Sequence, residues 1–346
     1  MIPFILLITW SLIGCGDDET TTPPADDNTQ AAVRFQLSGL ASAHALPTNG
    51  NNFSGVLTSP TSVISLDGKY YLFYNDNVGG WPPSDIRIGY AVSDDMIKWE
   101  RNEEITFSGE DVPYLNGASD HPSVKTVLVE ADGTITMYFD IFLNGVGDGM
   151  GRATAPSVDG PWTVHPEPVI KSENGFWDEI ALTGGSVIRD GNGYRMYYAV
   201  MLEDQVNPDM AIGMATSTDG ITWTKHPEPV LSKGPDGAWD DYKVESPVVI
   251  KTDKGYVMAY RSDGGDPTWG QDSGYGVATS QDGINWTRFQ TAPVAHEANQ
   301  ADWANLWAMA FFKNENGYYL IFENDGRGSI NRTRVAVTSY EGDFFD

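Results

Sequence analysis

A unit of about 62 residues occurs five times along this chain, and no other feature restricts its fold as strongly. The copies contain the segments LTSPTSVISLDGKYYLFYND, ASDHPSVKTVLVEADGTITMYFD, LTGGSVIRDGNGYRMYYAV, VESPVVIKTDKGYVMAYRSD and NLWAMAFFKNENGYYLIFEND, which start at Leu57, Ala118, Leu182, Val244 and Asn305. Their alignment places Thr58, Asp120, Thr183, Glu245 and Trp307 at one equivalent position. Repeats of this length predict an array of similar units that bury their apolar faces against one another.

Each copy has the pattern of short antiparallel strands, because alternating apolar and polar runs are separated by turns that contain Gly, Asn or Asp. The copies continue into small residues and a turn, followed by Trp99, Trp162, Trp223 or Trp286, which we interpret as core residues. With no helical periodicity, the sequence predicts an all-β fold: a five-bladed β-propeller with four antiparallel strands per blade. The fifth copy stops after its third strand, so residues 32–39 are predicted to add the missing strand and close the ring.

The chain is predicted to have three parts. Residues 1–14 resemble a bacterial lipoprotein signal peptide, since an apolar run ends in Leu12-Ile13-Gly14-Cys15, which resembles a lipobox. Residues 15–31 would be the lipidated Cys15 and a disordered tether. Residues 32–346 would be the propeller, with blades at about 58–101, 120–165, 183–226, 245–290, and 307–340 plus 32–39. An ordinary signal peptide with a chance cysteine is the alternative.

This leader predicts an exported protein that is anchored by lipid to a bacterial membrane, on the periplasmic side or at the cell surface. Cys15 is the only cysteine, which excludes an internal disulfide. The net charge of -27 argues against nucleic acid or an anionic lipid surface as partner, because like charges repel. We expect a monomer whose only membrane contact is the lipid anchor.

The residues that break the repeat are the candidates for function. In a propeller the first strand of each blade lines the central channel, so the aligned positions and the loops beside them would form one ring at the channel mouth. Aromatic faces, hydroxyl-binding polar groups and paired carboxylates at such a mouth are suited to a sugar and to cleavage of its glycosidic bond. The predicted substrate-binding residues are His121, Trp81, Arg261, Asp263, Trp269, Trp307 and Arg327.

The segment Glu245-Ser246-Pro247 carries a resemblance to the five-bladed glycoside hydrolases of families 43 and 32, which include arabinanases, β-xylosidases, levansucrases and invertases. In that superfamily a Glu that opens a channel strand before a small residue and Pro is the general acid, which implies this role for Glu245. Asp120-His121-Pro122 is similar to the second acid, which implies a base, a nucleophile or a group that tunes the acid. The third acid is replaced by Thr58-Ser59-Pro60, and Asp76 is the alternative base.

Burial at the start of a strand is expected to raise the pKa of Glu245 and keep it protonated as an acid. The separation of Glu245 and Asp120 would then decide between retention, at about 5 Å, and inversion, at about 6.5 to 9.5 Å. His121 could instead bind a central cation or a water, or be a satisfied channel histidine.

The sequence therefore predicts an exported O-glycosyl hydrolase that cleaves arabinofuranosides, xylosides or fructosides of plant or algal oligosaccharides or polysaccharides. No cofactor is expected to be required; a structural Ca2+ ion in the central channel is one option, and the metal ligands are unknown. A non-catalytic glycan-binding surface propeller is the alternative. A sialidase is disfavoured, because the Asp-Gly turns lack one residue of the Asp-box and the arginines are scattered.

Overall fold

The computed structural model describes residues 58–78, 85–102, 104–115, 120–143, 146–202, 209–263, 273–290, 293–296, 306–324 and 334–345. All of them belong to one compact unit, Arg34–Asp346. The predicted leader with Cys15, the tether and the closing strand at residues 32–39 lie outside the described residues. Apart from one short 3₁₀ helix, the regular elements in the described ranges are β-strands, so the prediction of an all-β fold is confirmed.

The strands of the described residues form four sheets. The first contains β1 (Thr58–Leu66), β2 (Lys69–Val78), β3 (Asp85–Ser93), β4 (Glu100–Arg101) and β5 (Phe107–Ser108), followed by the 3₁₀ helix η1 (Gly109–Asp111). The second contains β6 (His121–Val129), β7 (Ile135–Leu143), β8 (Val146–Ala155), β9 (Thr163–Val164), β10 (Ile170–Lys171), β11 (Ala181–Asp190), β12 (Gly193–Met201), β13 (Met210–Ser217) and β14 (Thr224–Lys225). The third contains β15 (Glu245–Thr252), β16 (Gly255–Asp263), β17 (Ser273–Ser280), β18 (Thr287–Arg288) and β19 (Ala295–His296). The fourth contains β20 (Met309–Asn314), β21 (Gly317–Asn324) and β22 (Arg334–Tyr340).

Antiparallel hairpins with tight turns account for most of this pairing. The turn between β1 and β2 shows why the sequence folds this way: Asp67 and Gly68 have φ angles of 52° and 75°, the left-handed conformations that a two-residue hairpin turn requires. The second sheet is unusual because it joins two repeat units, through one parallel bridge between Leu182 of β11 and Asp148 of β8.

Apolar side chains pack between neighbouring groups of strands. One buried cluster joins Phe73 of β2 to Phe139 of β7, and another joins Tyr197 of β12 to Met258 of β16. The first strands of the repeats also touch: β1 contacts β6 and β20, β6 contacts β11, β11 contacts β15, and β15 contacts β20. The core therefore lies between stacked sheets, as in a β-propeller-like fold.

Hydroxyl groups connect the first strands across these boundaries. In three of the first strands, the backbone N–H of a valine donates to a hydroxyl group on the first strand of the preceding repeat. The pairs are Val127 with Ser62 at 2.9 Å, Val187 with Thr126 at 3.0 Å and Val249 with Ser186 at 2.9 Å. These repeated bonds fix the relative register of β1, β6, β11 and β15.

The strand register corrects the alignment made from the sequence. When the equivalent positions of the second strands are aligned, their partners in the first strands are Ser59 with Asn75, Ser123 with Asp140, Thr183 with Ala199, and Glu245 with Arg261. Ser59 and Ser123, not Thr58 and Asp120, therefore occupy the position of Glu245. The alignment was wrong there because it used spacing between copies and had no information on where each strand enters its ladder.

Candidate functional site

One backbone position on the second strand of every repeat carries a different side chain each time. These residues, called the strand-end residues below, are Asn75, Asp140, Ala199, Arg261 and Glu323. Each has at most 3% of its surface exposed. Buried amide and charged groups need hydrogen-bond or ionic partners, so the partners of these side chains define the site.

Asn75 makes a neutral connection to the next first strand. Its side-chain nitrogen donates to the carbonyl oxygen of Val124 at 3.2 Å, and its side-chain oxygen accepts from the N–H of Val124 at 2.8 Å. The amide thus satisfies both backbone groups of one residue in β6.

Asp140 makes the corresponding connection to β11 with a carboxylate. Its Oδ2 accepts from the hydroxyl of Thr183 at 2.6 Å, and both of its oxygens lie 2.9 Å from the N–H of Gly184. Lys125, at the bulge of β6, places its Nζ 3.4 Å from Oδ2. Asp140 itself lies inside β7.

Arg261 joins three elements. Its Nη1 binds Oε1 of Glu245, and its Nε donates to the carbonyl oxygen of Leu306 in the segment before β20. Its Nη2 donates to the hydroxyl of Ser273 at 3.0 Å. The guanidinium carbon lies 4.7 Å from the ring centroid of Trp307. Glu245, Arg261 and Trp307, three residues singled out from the sequence, are therefore brought together.

Lys243 is a member of this cluster that the sequence reasoning missed. Its side chain is 6% exposed and its Nζ lies 3.1 Å from Oε1 of Glu245. Its carbonyl oxygen accepts a hydrogen bond from the hydroxyl of Ser262 at 2.6 Å. The signal was a basic residue two positions before the candidate acid, which places both side chains on one face of an extended chain.

The charge environment of Glu245 differs from the expected one. Its side chain is 16% exposed and faces two cations, Arg261 and Lys243. Neighbouring cations stabilise the ionised form of a carboxylate, which opposes the effect of burial. These contacts give no support to the expectation that Glu245 is held protonated as a general acid.

The backbone beside Glu245 is strained. Ser246 has a φ of 50°, an uncommon conformation for a residue with a side chain and one that clusters at functional sites. Gly184, with a φ of 70°, packs against it from β11: a Cβ atom added to Gly184 would lie 3.6 Å from the Cα of Ser246. The two bulges thus approach closely at the boundary between β11 and β15.

The remaining predicted residues have varied positions. Asp120 is partly exposed directly before β6, and the ring of His121 is buried and stacks on Phe142 at 5.0 Å. Asp76 is fully buried in β2, opposite Arg87 of β3. Trp81, Trp269, Arg327 and the side chain of Asp263 lie outside the described residues, so their roles stay predictions.

Two further buried carboxylates have structural partners. Asp178 pairs with Lys225 at 2.5 Å, and Asp240 pairs with Arg288 at 2.6 Å. Both pairs join a loop to the short fourth strand of the same repeat.

In the described parts of the chain, no group of three or more His, Cys, Asp or Glu side chains is placed to hold a metal ion, so the channel Ca2+ ion stays a prediction. No helix among the described residues is long and apolar enough to span a membrane.

Comparison with known sequences finds similarity to mannoside phosphorylases. The model of the beta-1,4-mannooligosaccharide phosphorylase family matches residues 191–339. Beta-1,2-mannobiose phosphorylase from Thermoanaerobacter sp. (strain X514) is 31% identical over 100 residues, which are 26% of this chain and 32% of that protein. The chain thus matches about a third of the length of this curated relative.

Comparison with solved structures finds the same fold in carbohydrate-active proteins. One match belongs to a study reporting that the GH130 family of mannoside phosphorylases contains glycoside hydrolases that target beta-1,2 mannosidic linkages in Candida mannan; it has a TM-score of 0.66 at 19% identity and covers 90% of this chain and 95% of that one. A glycosyl hydrolase from Bacteroides ovatus has a TM-score of 0.66 at 18% identity, with coverages of 90% and 94%. A family 117 glycoside hydrolase from Zobellia galactanivorans has a TM-score of 0.62 at 20% identity, with coverages of 86% and 90%.

At these identities the structural matches establish the fold, which is a β-propeller-like glycoside hydrolase fold. The named families are 130 and 117, so the expected resemblance to families 43 and 32 gains no support from them.

Proposed function

We propose that this chain is a glycan-processing enzyme that cleaves a β-mannosidic bond, rather than an arabinofuranoside, xyloside or fructoside. The observation that carries the proposal is the position of the sequence match. Residues 191–339, which match the mannooligosaccharide phosphorylase model, include Lys243, Glu245, Arg261 and Trp307. The region similar to a mannoside-cleaving family is therefore the region that holds the charged cluster.

The contacts of Glu245 support a role for its ionised form. A carboxylate held between Arg261 and Lys243 can accept a proton from an attacking water or bind a sugar hydroxyl, as required on one side of a glycosidic bond. Asp120, partly exposed before β6, is proposed as the proton donor, which reverses the roles expected from the sequence. Trp307 would offer an apolar ring to the CH face of the sugar.

The acceptor of the sugar can be water or inorganic phosphate. Arg261 and Lys243 supply two positive charges within reach of the same carboxylate, and such groups also attract a phosphate oxyanion. The two reactions differ in product, because attack by water releases mannose and attack by phosphate releases mannose 1-phosphate.

The test is to incubate the purified full-length chain with β-1,2-mannobiose and β-1,4-mannobiose, with and without inorganic phosphate, and to identify the products. Arabinan, xylan and fructan oligosaccharides serve as comparison substrates. We expect release from a mannoside, and a loss of about 100-fold or more in kcat/KM for Glu245→Gln, the range found when a group that stabilises the transition state is removed.

The matched control is Asp178→Asn, which replaces a carboxylate by an amide of the same size. The carboxylate of Asp178 is buried and pairs with Lys225, outside the cluster around Glu245. If the folded wild type binds mannosides without cleaving any of them, the protein is the glycan-binding propeller considered above. Cleavage restricted to the arabinan, xylan or fructan substrates would overturn the choice of mannose.

We also propose that the fold is a closed five-bladed propeller whose last blade takes its outer strand from residues 32–39. The order of contacts among the first strands, in which β20 touches β1, supports this. Deletion of residues 32–39 should lower the melting temperature, whereas deletion of the polar residues 16–31 should not. Equal melting temperatures for the two deletions would rule out the closing strand.

Lipid anchoring at Cys15 is a further proposal, supported by Leu12-Ile13-Gly14-Cys15. Cells that express the full chain and are fed labelled palmitate should incorporate label into the wild type and not into Cys15→Ser. Label in both proteins, or in neither, would contradict the anchor.

A further inference from the structure

We propose that Asp140 is a positioning residue for Glu245, acting through the Thr183-Gly184 bulge and the backbone of Ser246. This inference rests on the proposed function, because it concerns the same site. It assigns a functional role to a buried carboxylate that does not contact Glu245 in the described structure and that would otherwise be read as part of the core.

The first step is the hold of Asp140 on β11. The carboxylate is 0% exposed and receives the hydroxyl of Thr183, the N–H of Gly184 and the ammonium group of Lys125. Charge-assisted hydrogen bonds of this kind are stronger and shorter than neutral ones, as the 2.6 Å bond from Thr183 illustrates. Two donors from the bulge of β11 therefore converge on one side chain, with Lys125 of β6 as a third partner.

The second step passes from β11 to β15. The α-carbon of Gly184 faces the Cα and backbone nitrogen of Ser246, at 3.6 and 3.8 Å from an added Cβ atom. The strand-end residue at this boundary is Ala199, whose methyl group can donate and accept no hydrogen bond. The position of the Glu245-Ser246 bulge thus depends on packing against Gly184, and Gly184 is held by Asp140.

The third step is a comparison within the molecule. Asn75 occupies the equivalent position of β2 and connects it to β6 with a neutral amide. Asn75 thus meets one acceptor and one donor, whereas Asp140 meets only donors, from Thr183, Gly184 and Lys125. An amide at position 140 would place an N–H group against these donors, so the carboxylate is required to hold the boundary next to Glu245.

The experiment compares Asp140→Asn with Asp178→Asn in the full-length chain. Both carboxylates are 0% exposed and paired with a lysine, but the contacts of Asp178 are with Lys225 and the backbone of Glu173. We expect Asp140→Asn to lower kcat by about tenfold to 100-fold with little change in KM, since small displacements of a reacting group have effects of this size. Asp178→Asn should leave kcat within about twofold, and equal kcat values for the two variants would overturn the proposal.

A second measurement does not require activity. Urea unfolding of Asp140→Asn, Glu245→Gln and the double variant should be non-additive by at least about threefold in the unfolding equilibrium constant, as found for residues that are coupled through a shared backbone shift. The same cycle with Asp178→Asn should be additive. Additivity in both cycles would overturn the positioning role; non-additivity with Asp140 in a protein that cleaves no mannoside would support the coupling and reject the proposed function.

Discussion

The two ends of the sheets follow opposite rules. At the turn end, where the third strands finish, the same contacts recur: Tyr138 donates to the carbonyl oxygen of Gly220, and Tyr197 donates to that of Gly283, both at 2.9 Å. At the site end, the strand-end residues occupy one backbone position with an amide, two carboxylates, a methyl group and a guanidinium. The repeated backbone therefore carries recurring, stabilising contacts at the turn end and chemically different side chains at the site end.

Functional residues of a repeated fold are therefore found by comparing the side chains at equivalent positions. A position whose partners recur in each repeat is explained by packing. A position that keeps its backbone geometry while changing its chemistry, such as that of Asn75 and Arg261, is free to acquire a role in one repeat without disturbing the others.

The largest effect that this comparison predicts is for Arg261→Met. Removal of a buried guanidinium leaves Glu245 with Lys243 and leaves the carbonyl oxygen of Leu306 without its donor. We expect a loss of about 3 kcal/mol of unfolding free energy, measured by urea denaturation, together with loss of mannoside cleavage. Arg261→Lys keeps the positive charge but lacks the guanidinium group that binds three partners. Its unfolding free energy and activity should lie between those of the wild type and of Arg261→Met. A stability change under about 1 kcal/mol would show that the cluster is not formed.

The equivalent residue of the first repeat should behave differently. Asn75→Ala leaves the N–H and carbonyl of Val124 unpaired, with an expected loss of about 1 to 3 kcal/mol in unfolding free energy. Because Asn75 only joins β2 to β6, kcat and KM of the folded variant should not change. A fall in kcat as large as that of Arg261→Met would remove the contrast between the two positions.

The turn end offers a matched pair that should show no contrast. Tyr138→Phe and Tyr197→Phe each delete one hydroxyl that donates to a glycine carbonyl, so each should lower the unfolding free energy by about 1 kcal/mol. Denaturation midpoints measured side by side should agree, with cleavage unchanged. Unequal midpoints would mean that the turn end is also specialised.

The smallest predicted effect is on acid stability at the turn end. The backbone N–H groups of Thr222 and Ile221, with the hydroxyl of Ser217, lower the pKa of Asp219 to about 2. Since the pKa of an unfolded Asp is about 3.9, the stabilisation is present above that pH and is lost as pH falls through about 2. The melting temperature of the wild type should decline from pH 4 to pH 2 slightly more than that of Asp219→Asn. A steeper decline in the variant would give the opposite sign and refute the assignment.

The sequence was sufficient to predict the strands and turns, because alternation and residues such as Asp67-Gly68 act locally. It also brought Glu245 and Arg261 to attention, since both interrupt the repeat. It failed for Asp120, because the spacing between copies does not show where β6 enters its ladder with β7. It missed Lys243, whose importance depends on burial rather than on residue type.

The two cations beside Glu245 could not be predicted either. A lone carboxylate on an apolar strand is expected to take up a proton, and only the three-dimensional arrangement places two cations against it. The contacts that a side chain makes after folding are the part of a site that a sequence pattern does not contain.

We expect the parallel bridge between Leu182 and Asp148 to make two of the repeats open together, whereas the others open separately. Gly147 lies so close to β11 that an added Cβ atom would be 2.9 Å from the Cβ of Thr183, and one parallel bridge joins the two repeat units into a single sheet. Native-state opening events that expose amides of β6–β8 should therefore also expose those of β11–β13, so that these amides exchange with deuterium as one unit. We therefore expect the described strands to exchange as four units, one for each sheet, and the bridge that joins two repeats lies beside the Thr183-Gly184 bulge.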